Sequence, residues 1–349
     1  MRAVVFAGDG GVRVTDVPEA RIEEPADALV RVRRAAVCGT DLHTVAHGDG
    51  LDPGTAHAPG TVLGHEFVGE VVATGAAVVG HRAGDRVVGA DFTACGSCWW
   101  CRRGDHWECP GRRFFGTGTA FGPALDGAQA ELVRVPWADT VLRPLPDAVG
   151  DDAAVFLGDT LATGYAAVRR ADPLPGDTVA VVGGGPVGQL TALAAQACGA
   201  GTVLLVEPVE ARRALAAAEG SVAVAPDDAG GAVRRLTDGR GADVVVDAIG
   251  GPRGLDTAFG LVRRRGTVVS VGVHTGDWSL QAGRAFADEL TLRFAIGDVM
   301  RDGDALVALL GSGVLDPTVV VGETVSLDDV PEAYRRMAER RTLKSLIVL

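Results

Sequence analysis

The segment Gly183-Gly184-Gly185-Pro186-Val187-Gly188 lies between an unbroken apolar run, Thr178 to Val182, and an Ala-rich stretch from about Val187 to Cys198 that reads as a helix. Few folds accommodate that order. An unbroken apolar strand is buried on both faces, which belongs to a parallel sheet covered by helices rather than to a half-exposed antiparallel one. The texture repeats: Gly201 to Val206, Ala242 to Val246 and Thr267 to Gly272 are apolar runs separated by Ala- and Arg-rich helical stretches. From about Pro175 the chain is therefore expected to form a doubly wound, parallel α/β sheet.

A Gly-x-Gly-x-x-Gly loop carries little meaning alone, but between a strand and a helix it marks a dinucleotide site. Gly183 permits the tight turn, Gly185 lets a pyrophosphate approach the backbone, and Gly188 allows the helix to pack closely on the sheet. Pro186 and Val187 open the helix, whose N-terminus offers unpaired N–H groups and a partial positive charge to phosphates. Glu207 ends the next strand, where a carboxylate accepts from a ribose 2′-hydroxyl and repels a 2′-phosphate. That favours NAD over NADP, although Arg212 and Arg213 lie near enough in sequence to receive a phosphate, and a solvated strand end would also explain Glu207.

The first 150 residues read differently. Short apolar or alternating runs such as Ala28 to Val32 and Gly69 to Ala73 are separated by Gly, Pro and Asp, as in a β-rich domain dominated by loops. After about Arg293 come two helical stretches, Asp302 to Gly311 and Pro331 to Arg340, and a final apolar strand, Leu346 to Leu349. This tail is too short for a domain and is expected to pack back on the first one. The boundaries expected are thus 1–150, 151–294 and 295–349. A formal charge of −12 argues against a nucleic-acid footprint. No apolar run is long enough to span a bilayer and no basic-then-apolar leader precedes the first strand, so the expectation is a cytoplasmic protein acting on a small molecule, with neither membrane nor nucleic acid as partner.

Six cysteines are present, and four of them, Cys95, Cys98, Cys101 and Cys109, fall within fifteen residues. The spacing Cys-x2-Cys-x2-Cys-x7-Cys, with Gly96 and Gly104 to turn the backbone, suits four thiolates around one tetrahedral zinc, a closed structural site. An iron–sulfur cluster competes, but the spacing is unlike the common ferredoxin runs. Cys198 reads as a buried helix residue. A second set mixes ligand types: Cys38 in Cys-Gly-Thr-Asp-Leu-His, and His65 in Gly-His-Glu. A third ligand would leave one position open for chemistry. Asp159 is the choice for it, with Glu66 the nearby carboxylate most able to take its place.

With these blocks in this order, the sequence resembles the zinc-dependent medium-chain alcohol dehydrogenases over essentially its whole length. The resemblance implies a catalytic domain with a GroES-like β-barrel, a Rossmann coenzyme domain inserted in it, and a cleft between them. It implies Cys38, His65 and Asp159 as ligands of a catalytic zinc, in the bacterial branch that uses aspartate where many members have cysteine. Glu66 resembles a glutamate that approaches the metal during ligand exchange, and Asp41 the carboxylate that orients the ligating imidazole. Thr40 resembles the hydroxyl that bonds the substrate oxygen, and His43 the outer end of a proton relay running through the nicotinamide ribose. Turn formation is the alternative for Thr40 and Asp41, and an exposed bystander for His43.

Thr163 resembles a residue beside the nicotinamide, and Val271-Gly272-Val273 the strand end whose backbone fixes the carboxamide. Lys344 resembles a basic residue aimed at the pyrophosphate, with a solvated surface cation as the alternative. The implied reaction interconverts an alcohol with an aldehyde or ketone, with NAD taking the hydride; a polyol, sugar or pathway-specific dehydrogenase and a non-catalytic zinc- and nucleotide-binding protein are the alternatives. A homotetramer is implied, with a dimer as the other possibility. His47, His57, His81, His106 and His274 belong to no motif. The substrate pocket is expected from the loops 46–59, 112–122 and 294–300, with Phe92, Phe115 and Trp137 as apolar walls unless they are core.

Overall fold

The structure, a computed structural model, describes residues 1–8, 11–47, 58–274 and 276–349, the side chains of residues 46 and 47 excepted. It divides into two compact units, Met1–Asp159 with Asp298–Leu349, and Thr160–Gly297. The seams fall nine residues later than expected at the first boundary and three later at the second, which makes Asp159 the last residue of the first unit's leading segment.

The first unit begins with a hairpin, β1 (Arg2–Phe6) against β2 (Val12–Asp16). Its main sheet comprises β3 (Ala28–Val37), β4 (Glu66–Thr74), β5 (Arg86–Gly89), β6 (Leu132–Val135) and β7 (Leu142–Pro144). Strand β3 is the hub. It pairs antiparallel with β4 along its length and with β6 at residues 28–31. Register shifts between Leu29 and Val30 and between Val32 and Arg34 interrupt the β3–β4 ladder, and such bulges bend a sheet.

The second unit contains β8 (Thr178–Val182), β9 (Thr202–Val206), β10 (Val222–Val224), β11 (Ala242–Asp247), β12 (Val262–Ser270) and β13 (Thr291–Phe294). All pair in parallel in the order β10-β9-β8-β11-β12-β13. That is the Rossmann order, with the chain reversing direction of growth beside β8, where ligands bind at the carboxyl ends of strands. Its core joins Ala180, Val182, Leu204 and Val206 to Ala258, Phe259 and Leu261 of the helix Gly251–Leu261.

The chain then returns to the first unit through the helix Val299–Gly311, β14 (Glu323–Ser326), the helix Val330–Ala338 and β15 (Ser345–Val348). Strand β15 pairs antiparallel with residues 34–37 of β3, and β14 parallel with β15, so the C-terminal segment completes the sheet that the N-terminal segment began. No helix among the described residues is long and apolar enough to cross a membrane.

Candidate active site

Pairing of β3 with β4 sets Ala36 opposite Glu66, so the residues just past those strand ends, Cys38 and His65, come together. Beyond Cys38 the chain turns into the helix Gly39–His47. Asp41, in its first turn, reaches back with Oδ2 to accept from the N–H of Cys38 at 2.8 Å, as the third helical residue does in a capping box. Its other oxygen lies 3.2 Å from His65 Nδ1. Thr40 and Asp41 are therefore helix residues with defined neighbours, not turn formers. Asp159 arrives from the 3₁₀ turn Val155–Leu157, with the preceding carbonyl, of Gly158, accepting from the N–H of Asp91 at 3.3 Å.

Asp159 Oδ2 is 3.3 Å from Cys38 Sγ and 3.3 Å from His65 Nε2. Ligands on a tetrahedral zinc stand about 3.4–3.6 Å apart for sulfur, nitrogen and oxygen donors. The three side chains are buried, and neither ring nitrogen of His65 makes a well-formed hydrogen bond. A soft thiolate, an imidazole and a carboxylate with an orphaned nitrogen among them fit zinc. Burial pushes the Cys38 thiol up. Burial opposes a charged His65, but the Asp41 carboxylate facing it and the close approach of Asp159 and Cys38 raise it well above its usual value, while Asp159, against the penalty of burial, is held down to about 2 by His65.

Thr40 Oγ1 lies 4.0 Å from Cys38 Sγ, and His43 stands three residues on, exposed on the same helix face. Glu66 is not among the converging ligand atoms. It is fully buried and paired with Lys344, itself 1% exposed, whose ammonium also lies 5.9 Å over the ring of Phe156. Lys344 is therefore no surface cation: its ammonium is buried and pairs with Glu66. Burial would lower its pKa, yet Cys38, Glu66 and Asp159 together raise it. A buried charge persists only with a partner, and Glu66 supplies one.

Four groups that the sequence analysis did not single out surround this set. The ring of Phe114 packs edge-on against His65. Asp91 is buried and has one carboxyl oxygen without a hydrogen-bond partner; burial, and after it the charge of Asp159, push its carboxyl well above the usual range. Gln129 donates to Asp41, and Tyr334 donates to Gln129. None lies in a motif, so no spacing could have marked them. Phe92 and Phe115 are fully buried core rather than pocket walls, Trp137 is half-buried, and most of the 46–59 loop, including His57, lies outside the described residues.

The four-cysteine lobe has all its sulfurs within 4.8 Å of one another, and no disulfide forms among them. Cys98 and Cys101 sulfurs are 3.4 Å apart and Cys95 and Cys101 sulfurs 4.0 Å, bracketing the roughly 3.8 Å edge of a zinc tetrahedron with 2.3 Å bonds. Gly96 and Gly104 take left-handed φ of 69° and 77°, as the turning chain requires. Burial opposes ionisation of Cys95, but donors from Ser97 and Cys98 bring it down to about 6. His106, within the lobe, bonds Asp298 at 2.9 Å, and Asp298 in turn caps the helix Val299–Gly311.

In the second unit, Gly183 has φ 104°, and a Cβ on Gly188 would collide with the Gly183 carbonyl, so loop and helix can close only with glycine there. Space over Gly185, the cap of the helix Pro186–Ala197, is open, which is the room a pyrophosphate needs. Val187 accepts from the hydroxyl of Thr191. Glu207 is 4% exposed and not a solvated strand end: its carboxylate accepts from the N–H of Gly184 at 2.7 Å and of Val209 at 2.9 Å. Arg213 is spent on the carbonyls of Glu207 and Pro208, while Arg212 is half-buried.

Thr163, on the helix Thr160–Ala171, abuts Gly297. At the end of β12, Val271 donates to the Asp247 carbonyl, and Val273 is about half exposed. His274, which no motif claimed, fixes this strand end. Its Nδ1 accepts from the N–H of Gly251 at 2.9 Å, and its Nε2 lies 2.7 Å from Ser270 Oγ, which donates to Asp247.

Residues 24–147 match the alcohol dehydrogenase GroES-like domain family, and residues 186–310 match the zinc-binding dehydrogenase family. A "probable zinc-binding alcohol dehydrogenase" of Mycobacterium tuberculosis is 38% identical over 96% of this chain and 84% of its own length. An alcohol dehydrogenase of Cupriavidus necator is 31% identical over 98% of this chain and 96% of its own. Among solved structures, the alcohol dehydrogenase TADH from Thermus sp. ATN1 superposes with a TM-score of 0.95 at 38% identity, covering 100% of this chain and 99% of that one.

Proposed function

This chain belongs to the zinc-dependent medium-chain alcohol dehydrogenase family, and from that premise we propose that it interconverts an alcohol with an aldehyde or ketone using NAD, with one catalytic and one structural zinc. The convergence of Cys38 Sγ, His65 Nε2 and Asp159 Oδ2 carries the proposal. Zinc held there would supply Lewis-acid polarisation of the substrate oxygen, and NAD the hydride acceptor. Asp41 orients His65 so that Nε2 faces the metal position. Thr40 would take the hydroxyl proton while giving up its own into a relay through the nicotinamide ribose, whose outer end, His43, passes a proton to solvent. Glu66 and Lys344 form a buried pair behind these ligands. In the second unit, Gly183, Gly185 and Gly188 shape the turn for the pyrophosphate, the helix opening at Pro186 and Val187 faces it, and Glu207 accepts from the ribose. Thr163, Val271 and Val273 flank the nicotinamide. The family resemblance supports a cytoplasmic homotetramer, with a dimer as the alternative.

One observation favours a polyol as substrate. The unpartnered oxygen of buried Asp91, held one hydrogen bond away from the residue before Asp159, would be satisfied by a second hydroxyl on the substrate. An NAD-coupled screen of monohydric alcohols, vicinal diols and longer polyols on zinc-replete protein tests both readings. Diols are expected to be preferred, and Asp91→Leu to narrow that preference at least about tenfold, the worth of a lost hydrogen bond to a buried polar group. Preference for simple alcohols in both proteins would remove the polyol reading and leave the first.

A further inference from the structure

A chain of buried polar groups leads from the metal ligand His65 to the C-terminal return. His65 Nδ1 lies 3.2 Å from Asp41 Oδ1. Asp41 Oδ2 accepts from the N–H of Cys38 at 2.8 Å and from Gln129 Nε2 at 3.4 Å. Gln129 Nε2 also donates to the Ala36 carbonyl at 3.2 Å, and its Oε1 accepts from the hydroxyl of Tyr334 at 2.9 Å. Asp41, His65, Gln129 and Tyr334 are all buried.

Donor and acceptor roles along this chain have only one consistent assignment. A flipped Gln129 amide would set its oxygen against two other acceptors, Ala36 O and Asp41 Oδ2, with no proton between them. The amide nitrogen must therefore face Asp41, and Gln129 Oε1, buried, needs the proton of Tyr334. Asp41 Oδ2 is thereby held by two donors, which turns Oδ1 toward His65. An imidazole that gives its Nδ1 proton to Oδ1 has its Nε2 lone pair left for a metal. The backbone enforces the approach. Gln129 N–H donates to the Leu63 carbonyl, and a Cβ on Gly64, at φ 93°, would collide with the Gln129 side chain. The residue before His65 is thus shaped to admit Gln129.

We propose that Gln129 and Tyr334 are positioning residues of the Cys38–His65–Asp159 metal site, acting through Asp41 to fix the ring orientation and tautomer of His65. The C-terminal return then does more than complete a sheet: the helix Val330–Ala338 carries the outermost group of the metal site's support. The inference rests on those three residues being a zinc site.

Timed extraction of zinc from the full-length holoprotein by a chelator tests it. Wild type is expected to release two zinc ions per chain in separate phases, the four-cysteine ion more slowly. Outer partners of metal-ligating histidines are typically worth about ten- to a hundredfold in metal affinity. Tyr334→Phe is expected to speed the first phase about tenfold, and Gln129→Leu more, with the slow phase unchanged in both. Wild-type release by both variants overturns the proposal, as does equal acceleration of both phases with a lower melting temperature, which is what general loosening would give. A wild-type protein with zinc only in its cysteine lobe would instead overturn the metal-site reading, and this inference with it.

Discussion

Lys344 is the chain's single lysine among 33 basic residues, and burial against Glu66 decides its role. Two charges taken out of water gain little net stability together, but removing one leaves the other stranded. Lys344→Met should therefore cost about 3–5 kcal/mol of stability by denaturant unfolding, and Lys344→Met with Glu66→Leu should recover most of it. A single variant as stable as wild type would show that the pair is not closed in solution. Nothing in the sequence could reveal this pairing, because the two residues are 278 positions apart and meet only when β15 closes on β3. Asp41 is the opposite case: its place three residues after Cys38 was legible as a motif, and the local capping geometry delivers it to His65.

At the level of strands and helices, four of the six strands of the parallel sheet were legible, and the short edge strands β10 and β13 were not. Thr178–Val182 agrees at both ends and the expected Gly201 to Val206 is Thr202–Val206, because burial on both faces writes an unbroken apolar run. Strand β12 shows where that signal stops. It starts at Val262, five residues before the expected Thr267, and ends at Ser270; Arg263, Arg264, Arg265 and Gly266 carry no apolar pattern, and Arg263 is engaged by Asp243. The helix Gly39–His47 is short and of mixed polarity, so the catalytic block at its start looked like loop. Glu207 belongs to this level, since the end of β9 delivers it to the glycine loop. With its carboxylate holding the Gly184 N–H, Glu207→Ser should weaken NAD binding and relax discrimination against NADP, read from kcat/KM with each coenzyme. An unchanged ratio would remove the residue from coenzyme choice.

Taken as a whole, the chain leaves one unit to build another and comes back. Composition showed the change of texture near residue 175 but not the seam at Asp159/Thr160, because the 3₁₀ turn and helix around it are apolar on both sides. The ligand set was legible as types and order; its closure to 3.3 Å was not, since it depends on the β3–β4 register and on the turn that carries Asp159. Gln129, Tyr334 and Asp91, all buried, and the partly buried His274 stayed hidden because a lone polar residue has no period. The central claim is that Cys38, His65 and Asp159 hold the zinc at which an alcohol is oxidised. Its most direct test is NADH formation by wild-type and Asp159→Ala protein, each with zinc content measured on the same sample. The account predicts two zinc ions per chain and turnover for wild type, with one retained zinc and no turnover for Asp159→Ala; turnover by the variant, or none by a two-zinc wild type across the alcohol panel, would contradict it.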